Sequence, residues 1–231
     1  YGIILVTGPT GSGKTTSLYA MLSTYDANKY NITTLEDPVE YKMPNVNQTQ
    51  IRKEIGFDFS DGLRSLVRQD PDIIMVGEIR DRTTAALSIE AALTGHLVFS
   101  TIHTNSSAGT IQRLLNMGVE KYLLPSALRL IMAQRLVRKI CPHCEEMYRP
   151  DLNVIEKLKA EVGDIVNIDE ENLHLYRGKG CEKCGKTGFA GRTGIYEVMP
   201  VTPVISQMIL DGASTDEIEQ QAIKEGMQKM Q

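Results

Sequence analysis

The stretch Gly8-Pro9-Thr10-Gly11-Ser12-Gly13-Lys14-Thr15 constrains this chain more than any other feature. It lies between the apolar run Ile3-Ile4-Leu5-Val6 and a segment in which Leu18, Met21, Leu22 and Tyr25 recur every three to four residues. A glycine-rich loop between a buried strand and a helix directs successive backbone N–H groups into one concavity, and the helix N-terminus behind it adds roughly half a positive charge. Lys14 supplies a full charge and the Thr15 hydroxyl is placed to ligate Mg²⁺, so Gly8 to Thr16 are expected to hold a nucleoside triphosphate. A continuous apolar strand also needs cover on both faces, which points to a parallel sheet rather than a solvated one.

The chain downstream keeps that rhythm. Further strands are expected at Ile32 to Leu35, Ile73 to Val76 and Leu97 to Ile102, with helices between them near Asp61 to Arg68 and Asp81 to Leu93. The fold class is therefore α/β with a mostly parallel sheet. Pro44 and Asn45 split Val39 to Ile51 into two short pieces that read as a hairpin-like excursion. From Tyr122 to Ile140, richness in Leu, Ala and Arg predicts helices. The tail reads as two short helices, the second opened by Ser214 with Glu217 three residues on, the pattern of a capping box. The domain reading is a phosphate-loop core over 1–140, a cysteine-bounded appendage over 141–199 and a C-terminal helical segment over 200–231.

Acidic residues fall at expected strand ends, where open α/β sheets bind their ligands. Glu36, in Glu36-Asp37-Pro38-Val39-Glu40, is a candidate to position or deprotonate the attacking water; a locally bonded polar loop is the alternative. Ile73-Ile74-Met75-Val76-Gly77-Glu78 ends a buried run on an acid, so Glu78 is expected to support Mg²⁺ through a water. His103, at the carboxyl end of Leu97 to Ile102, reads either as a γ-phosphate sensor or as a core-packing residue, and of the two histidines His96 is the one expected to be structural. Arg64 and Arg68 stand one helical turn apart on one expected face. They read either as solvated surface or as guanidiniums offered to a neighbouring subunit's triphosphate.

All four cysteines fall in two pairs, Cys141-x-x-Cys144 and Cys181-x-x-Cys184. That spacing fits a structural Cys₄ zinc site, favoured over disulfides because the chain has a phosphate loop and no export signal. His143 reads as a bystander. The net charge of −4 argues against a surface built wholly for nucleic acid or anionic lipid. No apolar run approaches the ~18 residues of a membrane span. The expectation is a soluble, cytoplasmic protein. The sequence opens on core-strand residues without Met, as a fragment of a longer chain would.

Four motifs together resemble a known family. They are Gly8 to Thr16, the stretch Thr34-Leu35-Glu36-Asp37-Pro38-Val39-Glu40-Tyr41, the run Leu66-Val67-Arg68-Gln69-Asp70-Pro71-Asp72 leading into Gly77-Glu78-Ile79-Arg80-Asp81, and Thr94-Gly95-His96 through His103-Thr104-Asn105. Their order resembles the secretion ATPase superfamily behind bacterial type II secretion and type IV pilus assembly (GspE/PilB-like). The tetracysteine pairs, followed by Gly188-Phe189-Ala190-Gly191-Arg192-Thr193-Gly194-Ile195-Tyr196-Glu197, look like its extension and secretion branch.

The resemblance implies a RecA-like core using ATP, Mg²⁺ and Zn²⁺, in a homohexamer that works on an inner-membrane platform protein with cytoplasmic assembly proteins. It would be peripheral to the inner membrane, with no nucleic acid involved. By position it makes Glu36 the catalytic glutamate, Glu78 the atypical Walker B acid, His103 part of a His box, and Arg64 and Arg68 charges shared between subunits. It also implies N-terminal domains that this sequence does not contain. The competing readings are a P-loop motor on nucleic acid, for which only Arg135, Arg138, Lys139, Lys179, Lys183, Lys186 and Arg192 offer a basic surface, and a nucleotide-gated adaptor without turnover. A GTPase reading is weakest, since Asn28-Lys29-Tyr30-Asn31 only grazes the guanine-reading pattern.

Overall fold

In the computed structural model, residues 1–162, 169–170 and 172–230 are described. Gly2–Thr7 (β1) leads through the glycine loop into Lys14–Leu22 (α1). Ile32–Glu36 (β2), Asn47–Gln50 (β3), Phe59–Leu66 (α2), Ile73–Val76 (β4), Arg82–Leu93 (α3), Leu97–Ile102 (β5) and Ser107–Asn116 (α4) follow. After them come Leu124–Ala127 (α5), Leu128–Ile140 (β6), Glu145–Tyr148 (β7), Leu152–Val162 (α6), Leu175–Gly178 (β8) and Phe189–Pro200 (β9), and the chain closes with Pro203–Asp211 (α7) and Thr215–Lys224 (α8). Seven strands form one sheet in the order β3-β2-β4-β5-β1-β6-β9. The successive pairings from β3 to β6 are all parallel.

The apolar strand runs are buried on both sides, as expected. Ile74 and Val76 join Ile3, Leu5 and Val98 in a core with residues of α2, α3, α4, α5, α7 and α8. Their neighbours Ile73 and Met75 turn the other way, onto Val6, Phe99 and the α1 residues Leu18, Tyr19 and Leu22. Each such side chain, fully removed from water, contributes about 1.5–3 kcal/mol. Caps fix the helix starts: Asp58 accepts from Asp61 N–H at 2.9 Å, Asp81 from Thr84 N–H at 2.9 Å and Ser106 from Gly109 N–H at 3.2 Å. The Ser214/Glu217 capping box opens α8 as its sequence indicates.

Two expectations are corrected. Val39 to Ile51 is no hairpin: the chain returns over residues 37–46 and β3 runs parallel to β2, Thr33 facing Asn47 and Leu35 facing Thr49. The return passes a cis Asp37–Pro38 bond and Asn45, whose φ of 59° suits asparagine. The expected helices up to Ile140 end at Ala127, and Leu128–Ile140 is a strand whose first half pairs with β1 from Leu128 to Ala133. Leu, Ala and Arg favour helix only by tenths of a kcal/mol, and docking beside a central buried strand outweighs that preference.

The chain divides into two compact units, Tyr1–Arg135 with Tyr196–Lys229, and Leu136–Ile195 with Met230. In the second, β7 and β8 form an antiparallel pair with Glu145 opposite Gly178 and Tyr148 opposite Leu175. Among the described residues no helix is long and apolar enough to cross a membrane.

Candidate functional site

The phosphate loop sits where β1 ends. Gly13 takes the left-handed conformation (φ 87°) immediately before α1, and Lys14 is the first residue of that helix. Gly8, at φ 144°, allows a close crossing: a Cβ there would lie 2.3 Å from the carbonyl oxygen of Gln134. Gln134, on β6 and 2% exposed, fixes the loop floor by donating from Nε2 to the Ser12 carbonyl at 2.7 Å and accepting from Ser17 Oγ at 2.7 Å. Nothing in the local sequence marks it, because a glutamine in a Leu/Arg-rich run looks like surface.

Lys14 Nζ donates to the carbonyls of Gly8 at 2.9 Å and Pro9 at 3.1 Å, spanning the loop mouth. Burial holds its pKa below the ordinary lysine value, opposed by the negative charge of Glu78. Ser12 Oγ is buried and, among the described residues, has no hydrogen-bond partner. A desolvated ammonium and an unsatisfied hydroxyl in one glycine-lined concavity are chemically suited to the oxygens of a polyphosphate. Thr15, half-buried beside Lys14, and Thr16, exposed, continue the loop onto the helix.

Glu36 is the last residue of β2 rather than part of the loop after it, and it is 2% exposed. Its carboxylate accepts from the Tyr19 hydroxyl on Oε2, and on Oε1 from Thr34 Oγ1 at 2.6 Å and Gln48 Nε2 at 3.0 Å. Glu78 lies just beyond β4, its side chain 12% exposed, with one oxygen 2.5 Å from Arg80 Nε and 3.7 Å from His103 Nε2. Gly77 is pinned by a 2.7 Å bond from its N–H to the Leu35 carbonyl and by Thr101 Oγ1 donating to its own carbonyl at 2.7 Å. The ends of β2, β4 and β5 are thereby tied together. His103 is half exposed, whereas His96 donates from Nδ1 to the Ala91 carbonyl at 2.9 Å at the end of α3.

Arg64 and Arg68 are placed differently from a single helix face. α2 ends at Leu66 and Arg68 falls in the 3₁₀ turn Val67–Gln69. Both are exposed, and Arg64 lies 3.5 Å from Asp61.

In the second unit the four cysteine sulfurs all lie within 4.8 Å of one another. Sγ separations are 4.0 Å for Cys141–Cys181, 3.8 Å for Cys144–Cys184 and 3.7 Å for Cys181–Cys184. Disulfides require about 2.05 Å. A tetrahedron with Zn–S near 2.3 Å has edges of about 3.8 Å. Backbone N–H groups of Cys181 and Gly188 reach Cys184 Sγ at 3.2 and 3.3 Å and hold that thiol down to about 6, while burial pushes Cys144 up to about 12. Gly178 and Gly188 cross so closely that a Cβ on Gly178 would sit 2.0 Å from the Gly188 carbonyl oxygen. The donor set fits Zn²⁺, with all four positions filled by protein. Metal analysis is expected to find one zinc per chain, with Cys144→Ser losing it and unfolding residues 136–195 first. Oxidised cysteines without zinc in freshly isolated protein would contradict this.

A strand, a glycine-rich phosphate loop and a helix, set in a parallel sheet with carboxylates at neighbouring strand ends, define a P-loop ATPase core. Over residues 1–231 the chain matches the Type II/IV secretion system protein family, and it belongs to that family. It is 49% identical over 231 residues to the type IV pilus assembly ATPase PilB of Myxococcus xanthus, covering 100% of this chain and 40% of that protein. To the type II secretion system protein E of Klebsiella pneumoniae it is 47% identical over 212 residues, 92% of this chain and 41% of that protein. The chain thus spans about two fifths of the length of these relatives. Among solved structures it resembles the pilus retraction motor PilT with bound ADP, at 29% identity and a TM-score of 0.64 over 99% of this chain and 59% of that one. The Legionella pneumophila ATPase DotB shares the fold, at 23% identity and a TM-score of 0.66 over 99% of this chain and 54% of that one.

Proposed function

We propose that this chain is the ATP-hydrolysing core of a motor for type IV pilus assembly or type II secretion. The observation that carries the reading is the buried Lys14 ammonium, donating to the carbonyls of Gly8 and Pro9 at the mouth of a glycine loop, beside a Ser12 hydroxyl with no partner among the described residues. The identity to PilB and protein E supports the biological assignment. Gly8 to Thr16 bind the phosphates, and Thr15, with Glu78 through a water, holds Mg²⁺. The metal, when bound, neutralises charge on the β- and γ-phosphates. Glu36 orients the attacking water and takes its proton, and His103 reads the γ-phosphate.

In functional terms residues 1–140 are the ATPase core, 141–199 the zinc-binding part and 200–231 a helical segment. Residues 141–199 use Cys141, Cys144, Cys181 and Cys184 to hold structural Zn²⁺. The working form is a homohexamer, cytoplasmic and peripheral to the inner membrane. Arg64 and Arg68 meet a neighbour's site, and the force acts on an inner-membrane platform protein and cytoplasmic assembly proteins. Full-length protein is expected to hydrolyse ATP only with Mg²⁺, and a host lacking it to lose pili or secretion until wild-type protein is restored. Restoration by a turnover-dead variant, or turnover stimulated by nucleic acid, would overturn the reading.

A further inference from the structure

We propose that Tyr19 and Gln48 are positioning residues that hold the Glu36 carboxylate so that Oε2 alone keeps an acceptor direction for the attacking water. This rests on the reading of Glu36 as the group that orients that water. A carboxylate oxygen offers about two acceptor directions. On Oε1 both are taken, by Thr34 Oγ1 at 2.6 Å and Gln48 Nε2 at 3.0 Å. Oε2 accepts from the Tyr19 hydroxyl alone among the described residues, which leaves one direction free. When the oxygen of a water held there bonds to the γ-phosphorus, the bond to the bridging oxygen breaks and the water's proton passes to Oε2.

Tyr19 is buried to 1% exposure on α1, and its ring is ordinary core packing against Val6, Leu22 and Phe99. Its hydroxyl is not needed for that. It donates to Glu36 and accepts from Glu40 N–H at 3.3 Å, while the Tyr41 ring meets the Tyr19 ring edge-on with centroids 4.5 Å apart. Burial, with the bond to Glu36 adding to it, raises the phenol pKa well above its usual range, so the hydroxyl stays a donor at working pH. Gln48 uses its whole amide. Nε2 donates to Glu36 and to the Tyr41 carbonyl at 3.1 Å, and Oε1 accepts from Met43 N–H at 2.7 Å. The clamp therefore ties the acidic return of residues 37–46 to the carboxylate. Tyr19 stands five residues after Lys14 on the same helix, about 7.5 Å along it, so the element that grips the phosphates also carries the donor to Glu36.

The test is steady-state and single-turnover kinetics of the full-length protein with Tyr19→Phe and Gln48→Leu, each alone and combined with Glu36→Gln. Tyr19→Phe is expected to lower kcat roughly tenfold, the effect of one hydrogen bond to a charged group, with the KM for ATP within about twofold. Combined with Glu36→Gln, neither change should lower the residual rate further, because both act through that carboxylate. Wild-type kcat in both single variants would overturn the clamp while leaving Glu36 in its role. Equal fractional losses with and without Glu36→Gln would do the same, marking a general packing effect. If Tyr19→Phe fails to fold, Gln48→Leu, at a half-buried position, decides the matter alone. Near-wild-type turnover by Glu36→Gln would instead remove the reading of Glu36 itself, and this proposal with it.

Discussion

Lys14→Ala is expected to weaken ATP binding by about 10²–10³-fold and to abolish turnover. The side chain brings a full positive charge to the loop mouth; it is buried, and its own bonds are to the neutral carbonyls of Gly8 and Pro9. Removing one partner of a buried charge pair costs about 3–5 kcal/mol, and each 1.4 kcal/mol is tenfold in affinity. Ser12 Oγ and the loop amides remain, so some binding should persist. The fold should be unaffected, since no ion pair of the core depends on this residue alone: Glu78 keeps Arg80 at 2.5 Å. Equilibrium binding of a fluorescent ATP analogue, with thermal unfolding as the folding control, measures both. Unchanged affinity would remove the nucleotide site.

Glu36→Gln should behave in the opposite way, keeping Mg·ATP while losing about 10²–10⁴ in kcat, the usual contribution of a positioned general base. The amide is sterically tolerable because the Tyr19 hydroxyl on the Oε2 side can accept as well as donate. Glu78→Gln should differ from it by also weakening the Mg²⁺ dependence of binding. Rings mixed from Glu36→Gln subunits and Arg64→Ala/Arg68→Ala subunits then test the shared site, where in-trans arginines contribute about 10³–10⁵ in rate. Activity recovered in the mixture, with both parents inactive, would place the arginines across a subunit boundary. Strictly additive activity would return them to the solvated surface, where Arg64 already has Asp61 at 3.5 Å.

The parts of the fold legible in the sequence are those set by local physics. Ile73 to Val76 and Leu97 to Ile102 are strands with the expected ends; the first is a continuous apolar run bounded by polar residues, which has few other uses, and the second opens on the apolar Leu97-Val98-Phe99. The Ser214/Glu217 box is likewise local chemistry. What escaped depends on partners distant in sequence. Leu128–Ile140 becomes a strand through β1, more than a hundred residues earlier, and Asn47–Gln50 runs parallel because the chain returns past Asn45 before pairing with β2. In the candidate site, the phosphate loop is legible from its spacing, and Glu36 and Glu78 are legible as candidates from their place at expected strand ends. Tyr19, Gln48 and Gln134 are not, since a tyrosine on an apolar helix face and glutamines in strands read as packing or surface until folding sets them beside Glu36 and Ser12.

The most direct measurement is a structure of the full-length Glu36→Gln protein with Mg·ATP. It should show the γ-phosphate against Lys14 Nζ, Mg²⁺ on Thr15 with a water to Glu78, and the attacking water beside the position-36 side chain on its Tyr19 side. Nucleotide bound away from Gly8 to Thr16, or an attacking water held by a different carboxylate, would contradict the account.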